Sequence, residues 1–288
     1  MKRFSRILLV AVALFSVTLV SCNKDNSKTE EPEFTAPANA ANAKKVVVNS
    51  VVPGSTRQVK ELEFTEGGYA IITYIKSKAD TEEEVEVKTY TYSNGEYTIA
   101  GFGSVKIEGN NVTITTPSET VTVTATVTDT AAPQEGSVQF NLYRAWTLYD
   151  LKVSVSGGDL AAGIGKLFTA PVTMEKIDKW LKEQNVKVPE DIVITDYDIK
   201  DINFTKEGTI LINFSKADPF KGEFNLSGKS FSYVLNGVGN YIFNGQASGT
   251  VDFFREDNVD YCSWVVKGKI ENGNKIYNSE IELTLKQK

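Results

Sequence analysis

The most regular feature of the chain is a strict alternation of apolar and polar positions in residues 120–128. Threonine at every even position alternates with valine or alanine at every odd one, which is typical of an antiparallel strand with one buried and one solvated face. Similar apolar runs recur from residue 44 onward, separated by turn sequences such as 93–95 and 108–111. Because tight turns join neighbouring strands, the pattern predicts antiparallel meanders and an all-β fold class.

Two sequence blocks recur in both halves of the chain. Residues 62–72 parallel residues 202–212, since both contain Phe-Thr followed by a glycine turn. Residues 88–92 likewise parallel residues 229–233, so the blocks start 26 residues apart in the first half (62 to 88) and 27 in the second (202 to 229). These matches favour a degenerate duplication.

The repeat and the linker-like composition of 129–136 divide the chain into two antiparallel β modules, predicted at 44–131 and 136–288. One segment departs from the β pattern. From Thr173 to Asn185, apolar residues recur at helical spacing after a capping threonine, with a proline on either side. The sequence therefore predicts one short amphipathic helix that closes an open end of the second module or plugs it.

The N-terminus carries a targeting signal. Three basic residues precede an apolar run at 7–20, which is of signal-peptide length, and the run ends in Leu19-Val20-Ser21-Cys22. This ending resembles the lipobox of bacterial lipoproteins. The resemblance implies a signal peptide at 1–21, cleavage before Cys22 and lipidation of its thiol, with several acyl chains providing stable anchoring. Residues 22–43 are polar or small, and we expect a flexible tether there.

The predicted tether also indicates a location. Its short acidic stretches resemble the surface-export signals of Bacteroidetes lipoproteins, with Lys24-Asp25 and Glu30-Glu31 in place of a compact acidic run. We therefore expect a lipid-anchored protein of the outer membrane, on the cell surface or the periplasmic face. The membrane, reached through the N-terminal lipid, is the predicted partner.

A second resemblance concerns the second module. Arg144-Ala145-Trp146 looks like the R-x-W that opens the first strand of lipocalin-like domains in Bacteroidetes lipoproteins, and Phe204–Ile210 is similar to the hairpin that follows it. The resemblance covers 138–288, and reaches the first module only through its hairpin block. It implies that the second module is a calycin-type, lipocalin-like barrel able to hold one small hydrophobic ligand or glycan. The function of this family is mostly unassigned.

The amino-acid composition excludes several kinds of partner and catalytic site. The chain has 31 basic and 37 acidic residues, a net charge of −6 and no basic block, so a nucleic-acid partner is excluded. The absence of histidine removes His-based triads and His-containing zinc sites. No cofactor or metal is predicted, and we expect a protein that is not an enzyme. A carboxylate-dependent hydrolase is the third function considered, because paired acids can act without histidine.

Three further motifs receive a structural interpretation. Cys262 shares a strand face with Trp264 and Val266, which favours a small core residue over a nucleophile. The glycine-rich run 157–166 lacks phosphate-loop spacing and is predicted to be a loop. The acids of 196–201 are expected to alternate on an exposed strand face, because Lys200 stands where a calcium ligand would be required.

The candidate ligand-binding residues are Asn240, Tyr241 and Asn244, because this glycine-rich segment joins an aromatic ring to several amides, as sugar contacts require. Packing of Tyr241 onto the barrel remains the alternative. Thr130 is a candidate O-glycosylation site, since Asp129-Thr130-Ala131 matches the pattern of Bacteroidetes exported proteins. The predicted function is a non-catalytic binding or structural lipoprotein, with a surface glycan-binding lipoprotein of a polysaccharide-uptake system as the second candidate.

Overall fold

The fold is known from a computed structural model that describes residues 34–49, 58–75, 83–157, 164–183, 193–235, 245–272 and 275–288. These residues form two closed, antiparallel, eight-stranded β-barrels. The predicted all-β fold class with two antiparallel β modules is therefore confirmed.

The first barrel is a simple meander in which each strand pairs with the next, and β1 closes the ring against β8. Its strands are β1 (Lys44–Val48), β2 (Gln58–Phe64), β3 (Tyr69–Ile75), β4 (Glu83–Ser93), β5 (Glu96–Ile99), β6 (Gly103–Glu108), β7 (Asn111–Thr115) and β8 (Thr120–Thr128).

The second barrel follows the same ring order with one addition. Its ring is closed by β9 and β17, while β10 pairs with β9 outside the eight-stranded ring. Its strands are β9 (Ala145–Gly157), β10 (Ile164–Phe168), β11 (Ile199–Phe204), β12 (Thr209–Phe214), β13 (Phe220–Ser227), β14 (Ser230–Leu235), β15 (Gly245–Glu256), β16 (Val259–Asn272) and β17 (Lys275–Gln287).

In the described residues, helical structure is found only after the last strand of the first barrel. A five-residue helix, α1 (Val138–Leu142), leads into β9, and a 3-10 turn (Ile194–Tyr197) leads into β11. The predicted amphipathic helix is present as α2 (Met174–Glu183), and the Thr173 hydroxyl accepts a hydrogen bond from the Lys176 amide at 3.4 Å. Its buried face belongs to the core of the second barrel, as the prediction of a closing helix required.

Both barrels are packed with their own side chains. In the first, the Phe64 ring stacks on Tyr97 at 3.8 Å between centroids. In the second, Trp146 and Trp264 are fully buried, and Cys262 and Val266 lie on the same inward face as Trp264. The predicted register of this strand is confirmed, and burial raises the pKa of the Cys262 thiol.

The first of the two repeated blocks occupies equivalent places in the two rings. The β2–β3 and β11–β12 hairpins both join the second and third ring strands, and Gly68 and Gly208 both adopt a φ of +80°. In each turn a threonine hydroxyl accepts the amide four residues on, at 3.1 Å for Thr65 and 3.0 Å for Thr205. The hairpins are thus structural equivalents, with residue n of the first matching residue n + 140 of the second.

The second repeated block does not occupy equivalent places. Residues 88–92 lie in β4, the fourth strand of the first ring, whereas residues 229–233 lead into β14, the fifth strand of the second. The prediction that these two segments correspond is wrong by one strand. The match between these two segments therefore does not reflect equivalent positions in the two rings.

Residues 34–43, which we name the lead segment, are packed against the barrels, so the predicted tether is wrong for its last ten positions. Phe34 is buried in the core of the second barrel. Ala43 is also buried, and the Asn42 carbonyl accepts a hydrogen bond from the Tyr97 hydroxyl at 2.8 Å. The small and polar residues of the lead segment predict a flexible chain, but its one aromatic residue, Phe34, anchors the segment to the second barrel.

Candidate functional site

The described chain concentrates its buried charge where the two barrels meet. We name this region the junction: the β2–β3 hairpin, the β11–β12 hairpin and the residues that link them. Side chains of strands alternate between the barrel interior and the outside. In both hairpins the outward side chains are therefore covered by the other barrel, and several of them are polar.

Glu63 is the most enclosed of these polar side chains. It points out of the first barrel and is fully buried, and its two oxygens accept hydrogen bonds from Thr205 at 2.6 Å and Thr209 at 2.7 Å. Burial raises the pKa of the Glu63 carboxyl above its usual range, although the two hydroxyls act in the opposite direction. Both carboxylate oxygens of Glu63, in the first barrel, thus accept hydrogen bonds from side chains of the second barrel.

Glu66 makes a second link from the turn of the first hairpin. One of its oxygens accepts the Lys206 amide at 3.1 Å, while its Oε2 is buried without a hydrogen-bond partner among the described residues. Burial raises the pKa of Glu66 to about 8, and the nearby Glu63 charge acts in the same direction. A protonated Glu66 therefore suits this site better than an ionised one.

Asp201 links the barrels in the reverse direction. It is buried on the outward face of β11, and its Oδ2 accepts hydrogen bonds from Tyr69 at 2.9 Å and from Lys288 at 2.6 Å. Its Oδ1 accepts the side-chain amides of Asn203 at 2.8 Å and Asn213 at 2.6 Å. The expectation that this acid lies on an exposed strand face is wrong, because the first barrel covers that face.

Ion pairs surround these buried contacts. Glu61 pairs with Lys221 of the second barrel and with Lys45 at 3.1 Å. Burial alone would raise the pKa of Glu61, but the two lysines outweigh it and lower that pKa. Asp129 pairs with Lys206 at 2.8 Å and Lys44 at 3.1 Å. These contacts fasten the start of the linker as well as the two hairpins.

Two apolar side chains and one glycine complete the junction. Ile71 and its equivalent Leu211 are fully buried, yet neither belongs to its own barrel's core cluster. A Cβ atom placed on Gly67 would lie 2.6 Å from Asn203 Oδ1 and 2.9 Å from the Ala145 Cβ. Glycine at this position therefore allows the turn of the first barrel to approach the second.

The lead segment is held at the same end of the second barrel. Phe34 lies 5.7 Å from the Phe253 ring and 6.2 Å from Trp146. The Arg144 guanidinium stands 5.0 Å over the Phe34 ring, and Arg255 stands 5.8 Å from it. Burial lowers the pKa of Arg144 to about 10, so its charge at neutral pH is retained inside an aromatic cluster.

The residues predicted from sequence to carry function lie mostly elsewhere. Cys22 and the candidate ligand contacts Asn240, Tyr241 and Asn244 are outside the described residues. The strands that flank those contacts, β14 and β15, end at the paired residues Leu235 and Gly245. This pair lies at the end of the second barrel opposite to Phe34, because β9 begins and β15 ends beside Phe34.

Thr130, the candidate O-glycosylation site, lies within the described residues, and its side chain is exposed and hydrogen-bonded. Its amide and its hydroxyl both donate to the Glu207 carboxylate, at 2.9 and 2.8 Å. A sugar attached to this hydroxyl would replace the donated proton, so glycosylation excludes the hydrogen bond from the Thr130 hydroxyl to Glu207 but not the one from its amide. O-glycosylation of Thr130 remains a prediction.

Sequence reasoning missed the residues of the junction. The hairpin match identified the correct segments and was the available signal. Glu61 and Glu63 alternate with apolar residues in β2, as they would on a solvated strand face. The carboxylates of the junction accept hydrogen bonds from one barrel to the other. Their role in this structure is therefore to hold the two barrels together.

Comparison with known proteins supplies no relative. No family model, no curated protein and no solved structure matches this chain. Within the part of the chain that the structure describes, no three cysteine, aspartate or glutamate side chains are grouped to hold a metal ion. In the same residues, no helix has the length and apolar character needed to span a bilayer.

Proposed function

We propose that this chain is a lipid-anchored outer-membrane lipoprotein with a non-catalytic binding role, in which two barrels act as one rigid body. The observation that carries the proposal is the docking of Phe34 at the junction end of the second barrel. Since the chain toward Cys22 continues from this point, the lipid would hold the junction end near the membrane.

This orientation determines which surface is available for binding. The described ends of β14 and β15 lie at the opposite end of the second barrel from Phe34. The described strand ends Leu235 and Gly245 would then be directed away from the bilayer. Segments that connect the strands of a rigid barrel are a common location of binding sites, and the predicted contacts Asn240, Tyr241 and Asn244, which lie outside the described residues, fall in the sequence between these two strand ends.

The anchor is tested by Cys22→Ala expressed with its native signal sequence. The wild-type protein should partition into the detergent phase, whereas the variant should remain uncleaved or become soluble, because no thiol is available for acylation. A cleaved Cys22→Ala product that still partitions into detergent would contradict the assignment.

The binding role is tested on a glycan array with the wild-type protein and Tyr241→Ala. The matched control is Tyr92→Ala, since Tyr92 is an exposed tyrosine of the first barrel. Loss of glycan binding in Tyr241→Ala alone, with melting temperature unchanged, would support a glycan-binding surface lipoprotein. A large drop in melting temperature instead would show that Tyr241 packs on the barrel, and would contradict its role as a ligand contact.

A further inference from the structure

Three aromatic side chains form a ladder on the outer surface of the second barrel. Phe254 of β15 and Tyr261 of β16 are register partners, and their rings stack at 5.0 Å with an interplanar angle of 6°. Tyr149 of β9 meets Tyr261 edge to face at 5.4 Å. We name Tyr149, Phe254 and Tyr261 the aromatic ladder.

Two of the three ladder rings are exposed although they are largely apolar, whereas Tyr261, which contacts both of them, is 8% exposed. Phe254 and Tyr149 expose 39% and 38% of their surface, and they are two of the five large hydrophobic side chains that are exposed in the described residues. Phe253, one position earlier, points into the barrel, so Phe254 points out. In the eight-stranded ring β15 and β16 stand four strands from β11 and β12, so Phe254 and Tyr261 lie on the opposite side of the ring from the junction, whereas Tyr149 is on β9, the neighbour of β11. The exposure of Phe254 and Tyr149 shows that the first barrel does not cover these two rings.

The ladder stands beside the point at which the lead segment leaves the barrel. Phe34 contacts Phe253, the neighbour of Phe254, and lies under Arg255. Only twelve positions separate Phe34 from Cys22. A chain of that length spans at most about 40 Å when fully extended and about 20 Å on average when flexible. An anchor at Cys22 would therefore keep the ladder close to the bilayer.

The charges around the ladder have both signs. Lys286 is the register partner of Tyr261 on β17, whereas Arg255 and Asp260 pair at 2.6 Å on the inward face, where Arg255 stands over Phe34 and Asp260 is buried. Glu256 and Asp257 lie in the β15–β16 turn at the same end. A mixed rim of this kind complements zwitterionic head groups, whereas a surface for anionic lipid would carry an excess of lysine and arginine.

We infer that the aromatic ladder rests in the head-group region of the bilayer to which the chain is anchored. Tyrosine rings favour the membrane–water interface, where the apolar ring and the polar hydroxyl are both satisfied, and phenylalanine is a common apolar contact of proteins that lie in this interface. The inference rests on the proposed lipid anchor and adds a second contact. It makes the second barrel lie against the membrane instead of standing off from it.

The test uses the purified lipidated protein in vesicles of zwitterionic phospholipid with brominated acyl chains, which quench nearby tryptophan. Phe254→Trp places a reporter on the ladder, and Tyr149→Trp is a second reporter in case the first disturbs the fold. The matched control is Val193→Trp, because Val193 is exposed and precedes β11 at the opposite end of the barrel. The native tryptophans are buried and give the background signal.

Both ladder reporters should lose roughly half of their added emission, since interfacial side chains lie within about 5–10 Å of the acyl boundary. The Val193→Trp emission should be unchanged, and replacing a third of the lipid with an anionic one should not increase the quenching. If the protein floats with the vesicles but neither ladder reporter is quenched, the membrane contact of the ladder is contradicted and the lipid anchor is not. If the protein fails to float, the lipid anchor is contradicted. If sedimentation shows a dimer that buries the ladder, the membrane contact of the ladder is contradicted.

Discussion

The β2–β3 and β11–β12 hairpins share a backbone but carry different side chains. Their turns have the same hydrogen bonds and the same positive φ at Gly68 and Gly208. Their outward positions differ in charge and size: Glu66 corresponds to Lys206, and Gly67 corresponds to Glu207. At Glu63, Glu66 and Gly67 the first hairpin supplies acceptors and space, and the second supplies donors and bulk, whereas at Asp201 the second hairpin accepts from Tyr69 of the first.

This difference shows how two similar barrels form an asymmetric pair. If the second hairpin were identical to the first, a second glutamate would take the place of Asn203 in the junction. Like charges that are buried together are unfavourable. Instead Asn203 stands at the position equivalent to Glu63, and its side-chain amide donates to Asp201. The polar contacts therefore specify the partner hairpin, since both buried oxygens of Glu63 need donors from the other barrel.

The largest expected effect comes from filling the space at Gly67. Gly67→Val would place side-chain atoms where Asn203 and Ala145 now lie, so we expect a loss of about 3 kcal/mol of unfolding free energy, at the upper end of the range for overpacking. Scanning calorimetry should then resolve two transitions, one for each barrel, in place of a single one.

The control for this variant is Gly101→Ala. Gly101 has a φ of +69° and a Cβ there would have no neighbour within 4 Å. Its replacement introduces only backbone strain, about 1–2 kcal/mol, and the single transition should persist. If both variants gave one transition, the barrels would not depend on close approach at Gly67.

A smaller effect is expected for the pH dependence of the junction. Because the folded-state pKa of Glu66 is raised to about 8, its contribution to stability is fully present below its ordinary pKa and is lost as the pH rises through 8. Glu63, whose pKa is also raised, acts in the same direction. Wild-type stability should fall between pH 6 and pH 9 by on the order of 2 kcal/mol.

Glu66→Gln should remove most of that fall, because an amide keeps the acceptor for the Lys206 amide and has no charge to bury. Urea unfolding at pH 6, 7.5 and 9 measures the effect, with the exposed Glu96→Gln as a control that should behave as wild type. A wild-type protein whose stability does not change over this interval would show that Glu66 is not enclosed as described.

The smallest expected effect concerns the linker. Thr130→Val removes the hydroxyl that donates to Glu207 and retains the amide that also donates to it. We expect a loss of about 1 kcal/mol or less, since one exposed hydrogen bond contributes little. Urea unfolding measures the loss, and Thr98→Val on β5 provides a threonine exchange away from the junction. A loss well above that value would mean that the linker fastens the barrels more strongly than the hairpins do.

Much of the fold could be predicted from the sequence, because alternation reports directly which side chains point inward. The strand at 120–128, the inward face of Cys262, Trp264 and Val266, and the helix that starts after Thr173 all follow from local spacing. Alternation does not say what covers an outward face. Asp201 reads as a solvated acid in sequence, and only the position of the other barrel makes it a buried one.

The lead segment shows a second limit of the sequence. A single aromatic residue in a polar stretch gives no periodic signal, yet Phe34 is packed between Arg144 and Phe253. Its partners lie more than a hundred residues away, so no local pattern could indicate the contact. The candidate ligand contacts Asn240, Tyr241 and Asn244 remain a prediction from composition.

The most direct test of the asymmetric pairing is a double-mutant cycle across the junction, with Glu63→Ala in the first barrel and Thr209→Val in the second. These side chains share a hydrogen bond of 2.7 Å between Thr209 Oγ1 and Glu63 Oε2. Contacting residues show coupling energies of about 0.5–3 kcal/mol, and we expect a value of about 1 kcal/mol or more. Additivity of the two unfolding free energies within about 0.3 kcal/mol would contradict the contact and, with it, the pairing of the two hairpins.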